Sequence, residues 1–549
     1  MQMDRVKFQN YKAFDEGEIE IRPLTLLLGA NSSGKSSILH LFLMLEQTIS
    51  NADKYNAALK TNGHSVSLGE DENLIKDKKH DKQLTLEFGI NASEYISSVK
   101  ALQEEKQSEV TYSYLFSLKA NNPEKYEQYS KTILEKLKTK GKNKDSVFSE
   151  FISDYFSANI PHRYDFIYNY FAHSRFPFRG NDSLWTNHID IDNQEKYIYS
   201  ILNCFASFKD SFNPYPEKAS IKFVLTYNDY IRKLKVTECH VMVGEKAVIQ
   251  ILTQGKESFL SSEIFKPEDL NVLSQFSKLH FEFDGLSIRS LSESDTPFVD
   301  YIMILVGQAF KSVQDFFSQK NMNYVGPLRA NPQRYYFLDD SNTNTTLVHS
   351  RGASLAEILK KNKPIRDKIN KWLDRFELNV DVQEFKDVIH NIKVTQNKLL
   401  LDIPDVGFGI SQVLPILVEG MMAPSKSTII MEQPEIHLHP KMQAELADLF
   451  IDILQLQTKR KDRIKKHLII ETHSEYILKR IRRRMAEGQI SPKHVAIYFV
   501  KPRNKDNPDT AEIQLAPINK DGTIEWPLDF YITEMEDELA FFRSKVSKS

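Results

Sequence analysis

The sequence predicts an α/β fold: a parallel sheet flanked by helices, with its two halves separated by a long, largely helical insertion. Three observations predict it. A short apolar run, a glycine-bounded loop and a helical pattern follow one another near the start of the chain; roughly four hundred residues later a second apolar run ends in acids; a third ends in Glu-Thr-His-Ser close behind it.

The first segment, Leu24-Thr25-Leu26-Leu27-Leu28, has the length and apolarity of a buried strand, and Ser37 to Leu43 carries apolar residues at helical spacing. Between them Gly29-Ala30-Asn31-Ser32-Ser33-Gly34-Lys35-Ser36 fits the phosphate-loop pattern G-x-x-x-x-G-K-[ST] in the strand-to-helix setting that the pattern needs. Backbone N–H groups of a small-residue loop, backed by a helix N-terminus, surround a phosphate; a lysine reaches the terminal oxygens and a serine hydroxyl ligates Mg²⁺. The expected ATP contacts are therefore Gly29, Asn31, Ser32, Ser33, Gly34, Lys35, Ser36 and Ser37, with Ser36 also on the metal. A glycine- and serine-rich turn with no ligand is the bland alternative.

The second segment, Lys426 to Glu435, reads as a buried strand ending in acids. A parallel strand beside the loop puts a carboxylate at its C-terminal edge, where Mg²⁺ and its waters would sit, and Glu432 is the candidate. The third, His467 to Glu471, leads into Thr472-His473-Ser474. His473 is then a γ-phosphate sensor at the same edge, or else a satisfied structural histidine.

With 549 residues the chain is long enough for two or more domains, and 72 Lys and Arg against 74 Asp and Glu leave a net charge of −2. Bulk charge names no partner, so any nucleic-acid surface must come from local clusters. Cys204 and Cys239 are the only cysteines, which excludes a disulfide framework and a cysteine-rich zinc module. No segment has the length and apolarity of a signal core or a membrane span, so a cytoplasmic protein without membrane attachment is expected.

The order of motifs, phosphate loop, long middle, Asp405-Val406-Gly407-Phe408-Gly409-Ile410-Ser411-Gln412, then Glu432-Gln433-Pro434-Glu435-Ile436-His437-Leu438-His439-Pro440, then Thr472-His473-Ser474, resembles the ABC-type ATPases of the SMC, RecF and OLD group. Val6 to Phe14 is similar to that group's first strand and the basic turn after it. Within the group, Gln433, the segment Tyr324 to Arg329 and Asp521 to Pro527 most resemble the PtuA-type ATPases of Septu and retron-associated anti-phage systems. The resemblance covers roughly the first 90 and last 200 residues. It implies an ABC-type head made of residues 1–95 and 321–500, an insertion over 96–320, and a tail from 501 to 549.

It also implies a nucleotide sandwich, in which the loop of one copy and the signature segment of a second enclose one ATP. Gly407, Gly409 and Ser411 are the signature candidates, and whether Gly407 or Ser411 holds the usual serine place stays open. The family's Q-loop glutamine is not identifiable. Gln433 stands where many relatives carry the glutamate that polarises the attacking water. Either Glu435 takes that role, or hydrolysis is slow and ATP chiefly locks an assembled state. The catalytic candidates are thus Glu432, Gln433, Glu435 and His473. His437 and His439 are read as part of the dimer seam, with a metal site as the alternative.

The middle is less legible. Lys106 to Asp154 reads as charged helix and Ile221 to Leu225 and Val248 to Leu252 as strands. The aromatic stretch Tyr164 to Phe178 with its arginines, and the lysine run Lys136 to Lys144, read as core and solvated loop, or as nucleic-acid contacts. The clusters Lys459 to Lys466 and Lys479 to Arg484 are open to the same two readings, and Arg329 and Arg334 to a phosphate contact or a salt bridge. OLD-like relatives carry a nuclease domain after the ATPase, and the roughly 50 residues after Val500 are too few for one. The expectation is an ATPase that controls a separate HNH-type nuclease, with a retron reverse transcriptase and its DNA or RNA product as further partners. A RecF-like DNA-repair ATPase is the alternative, with a transporter subunit a distant third.

Overall fold

The computed structural model describes residues 3–50, 57–124, 127, 191–292, 296–318, 320–327, 329, 333–337, 352–386, 389–406, 408–454, 466–503, 508–519 and 521–525. Gly407, the aromatic stretch Tyr164 to Phe178, the lysine run Lys136 to Lys144, the cluster from Lys459 to Lys465 and the tail from Trp526 onward lie outside the described residues. The chain divides into two compact units, one of Met1–Lys7, Asp53–Leu59 and Lys79–Asp315, the other of Phe8–Ala52, Lys60–Lys78 and Phe316–Ser549.

The chain opens with β1 (Met3–Tyr11), β2 (Phe14–Glu20), β3 (Leu24–Leu28) and α1 (Lys35–Ile49). Phe8 packs edge-on against both Tyr11 and Phe14, all three fully buried. The first unit then holds β4 (Leu84–Asn91), α2 (Ala92–Asn121), α3 (Ile191–Ser211), β5 (Lys218–Asn228), β6 (Lys233–Val243), β7 (Lys246–Gln254), β8 (Glu257–Ser261), α4 (Pro267–Ser277), β9 (Phe281–Asp284), β10 (Ser287–Ser290) and α5 (Pro297–Phe317). Strands β4 to β8 are an antiparallel meander, each pairing with the next. The strands expected at 221–225 and 248–252 fall in β5 and β7, and the charged helix begins as α2.

The second unit continues with β11 (Met322–Val325), β12 (Tyr336–Phe337), α6 (Gly352–Lys361), α7 (Lys363–Leu373), β13 (Leu378–Lys386), β14 (Ile389–Gln396), β15 (Leu399–Asp402), α8 (Phe408–Met422), β16 (Thr428–Glu432), α9 (Pro440–Ile453), β17 (His467–Glu471), α10 (Glu475–Ala486), β18 (Val495–Lys501) and β19 (Glu512–Leu515). Its main sheet has the order β11-β16-β17-β3-β18-β19, parallel throughout except for the edge strand β19. Every residue of β3, β16 and β17 is buried, which is why their sequences are continuous apolar runs rather than alternations. A smaller antiparallel sheet gathers β12, β13 and β15 around β14.

The sheet order and register bring distant sequence together. Glu432 is paired in register with Glu471, and Glu471 with Leu27, so the ends of β16, β17 and β3 lie along one edge. Ligands of open α/β sheets bind at that carboxyl edge. Among the described residues no helix is long and apolar enough to cross a membrane.

Candidate functional site

Backbone conformation shapes the loop between β3 and α1. Gly29, with φ of 149°, sits so close to β18 that a Cβ would run into the Val500 carbonyl. Gly34, with φ of 108°, starts α1, and a Cβ there would lie 2.7 Å from the Phe14 ring. Both positions demand glycine. Asn31 and Ser32 are exposed, Ser36 and Ser37 half-buried, and Ser33 is buried with no hydrogen-bond partner for its Oγ among the described residues. An orphaned buried hydroxyl in a loop of backbone donors fits a phosphate.

Lys35 is folded back onto its own loop. Its Nζ donates to the carbonyls of Ala30 at 2.7 Å and Gly29 at 3.1 Å, and stands 3.9 Å from Glu471 Oε1. Burial pulls its pKa below the usual value, while Glu471 and Glu435 pull the other way. Ser36 Oγ donates to the Glu471 carboxylate, 2.9 Å from Oε2 and 3.2 Å from Oε1. Glu471 is only 2% exposed, and burial raises its pKa despite the Ser36 hydroxyl. Nothing in the local sequence marks Glu471 for this position. Its signal was the sheet order: β17, not β16, is the neighbour of β3.

Glu432 lies one strand further out and accepts from the Tyr324 hydroxyl at 2.7 Å. That contact, with burial, holds the Tyr324 phenol well above its ordinary pKa. The strand does not run on to Glu435 as the sequence suggested. It stops at Glu432 because Gln433 turns into the left-handed region at φ of 45°, its N–H donating to the Glu471 carbonyl at 2.8 Å. Arg329 Nη2 donates to the Gln433 carbonyl at 3.3 Å, while its Nε and Nη1 are buried without partners among the described residues. Burial pushes the Arg329 pKa down to about 10, with Glu435 opposing.

Past the turn, Glu435 returns to the site. Its Oε1 accepts from the His473 backbone N–H at 2.6 Å, its Oε2 has no partner among the described residues, and burial raises its pKa. The His473 side chain is exposed; partial desolvation and nearby Lys35 hold its imidazole below the ordinary pKa, so it is neutral at pH 7. Ser474 caps α10 by accepting from the Ile477 N–H, which fixes where His473 sits. The structure therefore gathers Lys35, Ser36, Glu432, Gln433, Glu435, Glu471 and His473 at one edge.

The signature segment opens α8, close to the turn that follows Glu435. Gly409, in the first turn of α8, faces Leu438 and Met442, and Ser411 is buried. His439 is the N-cap of α9, accepting from the Lys441 N–H, and His437 is exposed. No group of three or more His, Cys, Asp or Glu that could hold a metal occurs among the described residues. Mg²⁺ needs no such cage, since it keeps several waters and binds through one or two carboxylates plus substrate phosphates. Ser36 with Glu471 and the adjacent Glu432 fits that requirement.

Two basic features of the sequence are neutralised locally. Arg334 pairs with Asp402 at 2.6 Å and Asp405 at 2.9 Å. On α10, Arg480 and Arg484 both pair with Asp448, Arg483 with Glu487 and Lys479 with Glu475.

Comparison with solved structures returns the SMC head domain from Thermotoga maritima, at 7% identity and TM-score 0.33, covering 94% of this chain and 100% of that one. An SMC head bound to the C-winged helix domain of ScpA follows at 8% and 0.34, with 94% and 98% covered. An SMC head with an extended coiled coil, bound to the C-terminal domain of ScpA derived from Pyrococcus furiosus, gives 7% and 0.31, with 98% and 99% covered. Among curated proteins nothing matches. The AAA ATPase domain family matches residues 1–237 and 333–478, an extent that takes in the phosphate loop and both acidic strand ends, β16 and β17. By that match, over more than half its length, the chain belongs to the AAA ATPase domain family.

Proposed function

We propose that this chain is a cytoplasmic ATP- and Mg²⁺-dependent switch: two copies enclose ATP head to tail and so control a separate HNH-type nuclease in anti-phage defence of the Septu or retron-associated kind. The observation that carries the nucleotide part is the Lys35, Ser36 and Glu471 cluster under a glycine-bounded loop. Lys35 leaves the Gly29 and Ala30 carbonyls for the phosphates. The Ser36 hydroxyl and the Glu471 and Glu432 carboxylates would hold the metal, which when bound would neutralise charge on the phosphates.

Gln433 carries a carboxamide, which takes up no proton from water, so turnover is slow and the ATP-bound state is long-lived. Glu435 is the remaining candidate to orient the water, with one oxygen held by the His473 N–H and the other without a partner among the described residues. His473, neutral, has an N–H to offer the γ-phosphate. The opposing copy contributes the segment from Gly407 to Ser411.

The nuclease, a reverse transcriptase and its DNA or RNA product are proposed partners on the strength of the PtuA-like motifs. Direct DNA binding of the repair type draws less support, because Lys479, Arg480, Arg483 and Arg484 of α10 are engaged in ion pairs. The test is co-expression with the product of the neighbouring gene. A complex with at least two ATPase copies should co-purify and cut nucleic acid, while the chain alone, with ATP and Mg²⁺, should not. Cleavage by the isolated chain that persists in Lys35→Ala, free of contaminating nuclease, would overturn this reading.

A further inference from the structure

We infer a second anion site, at the edge of the parallel sheet opposite the phosphate loop, that takes the phosphate of a nucleotide, free or at the end of a strand, between Lys466, Lys368 and Lys371, with the Trp372 indole beside it. Lys466 directly precedes β17, the strand whose other end is Glu471, so about 17 Å of rigid backbone separates the two sites.

The site is a cavity of about 570 Å³, within the range of small-molecule pockets. Among the described residues four cations line it, Lys368, Lys371, Arg375 and Lys466, against one carboxylate, Asp452. Arg375 is already spent on that carboxylate at 3.4 Å and on Glu445 at 3.3 Å. The three lysines are a different matter. Lys466 is buried, and among the described residues its Nζ makes one hydrogen bond, to the Gly420 carbonyl at 3.0 Å, which uses one of its three donors. Lys368 is near enough to depress the Lys466 pKa further, on top of burial. Like charges that disfavour one another cost energy that a phosphate between them would return.

Trp372 supplies an independent observation. It is 3% exposed and its Nε1–H has no acceptor among the described residues. An unsatisfied buried donor on a cavity wall calls for a ligand acceptor. Met421 and Ile453 complete an apolar side, so the cavity offers donors for a phosphate and aliphatic groups for a sugar or base. Glu419, the buried acid whose charge acts on Lys466, competes weakly, since burial pushes its pKa up to about 7.

The experiment uses the full-length Lys35→Ala chain, in which binding at the phosphate loop is weakened, titrated calorimetrically with AMP and with a 5′-phosphorylated single-stranded oligonucleotide. One of these should bind at one site per chain, and adding Lys368→Gln with Lys371→Gln should weaken it about tenfold. Both lysines are exposed, so the variant keeps its fold, which a melting curve checks. Tighter binding of AMP than of the strand marks a free nucleotide as the ligand; the reverse marks a strand end. The inference is overturned if neither probe binds the Lys35→Ala chain, or if the double lysine substitution leaves affinity unchanged.

Discussion

Replacing Lys35 by Ala should lower ATP affinity by roughly 5- to 700-fold, and the size follows from what the ammonium does without ligand. Its two bonds to the Gly29 and Ala30 carbonyls contribute about 1 kcal/mol each, net, and must be broken before Nζ can reach a phosphate. Two charge-assisted bonds to phosphate oxygens return about 1.5–3 kcal/mol each. The surplus is about 1–4 kcal/mol, and every 1.4 kcal/mol is tenfold. Calorimetry with a non-hydrolysable ATP analogue and Mg²⁺ reads the ratio directly, and Lys35→Met, which keeps the buried stem, separates lost charge from lost packing. An affinity within threefold of wild type in both variants would refute the assignment of the loop.

Two further outcomes are expected. Gln433→Glu keeps the backbone contacts to Glu471 and Arg329 and should raise turnover at least tenfold while shortening the life of the ATP-bound dimer; no gain, together with a dead Glu435→Ala, would give the water-activating role to Glu435. Glu419 binds its proton more tightly folded than unfolded, with a pKa of about 7 against an ordinary 4.5, so its stabilising contribution is complete below about pH 4.5 and is lost as pH rises through 7. That is worth about 3 kcal/mol, so denaturation curves of Glu419→Gln against wild type should diverge in the variant's favour by that amount between pH 4.5 and 8; parallel curves would contradict it.

Much of the strand framework was legible because burial on both faces leaves an unmistakable signal. β3 and β17 occupy the residues the apolar runs marked, and the glycines of the loop stand where only glycine fits. The end of β16 was not legible: Gln433 leaves the strand through a left-handed turn that its side chain does not announce. Nor was the position of Glu471 opposite Ser36, because lateral strand order is a property of the folded sheet and not of any local run. Tyr324 and Arg329 reach the site from more than a hundred residues away, placed by the pairing of β11 with β16. The basic helix α10 reads in sequence as a row of charges, and only the fold shows Asp448 beneath two of them.

The most direct measurement is a structure of the full-length chain with ATPγS and Mg²⁺. An ATP sandwich places the triphosphate in the loop from Gly29 to Ser36, with Lys35 moved off the Gly29 and Ala30 carbonyls, Ser36 on the metal beside Glu471 or Glu432, and the Gly407 to Ser411 segment of a second copy closing over the γ-phosphate. Nucleotide bound elsewhere, or in the loop with no second copy against it, would contradict the sandwich.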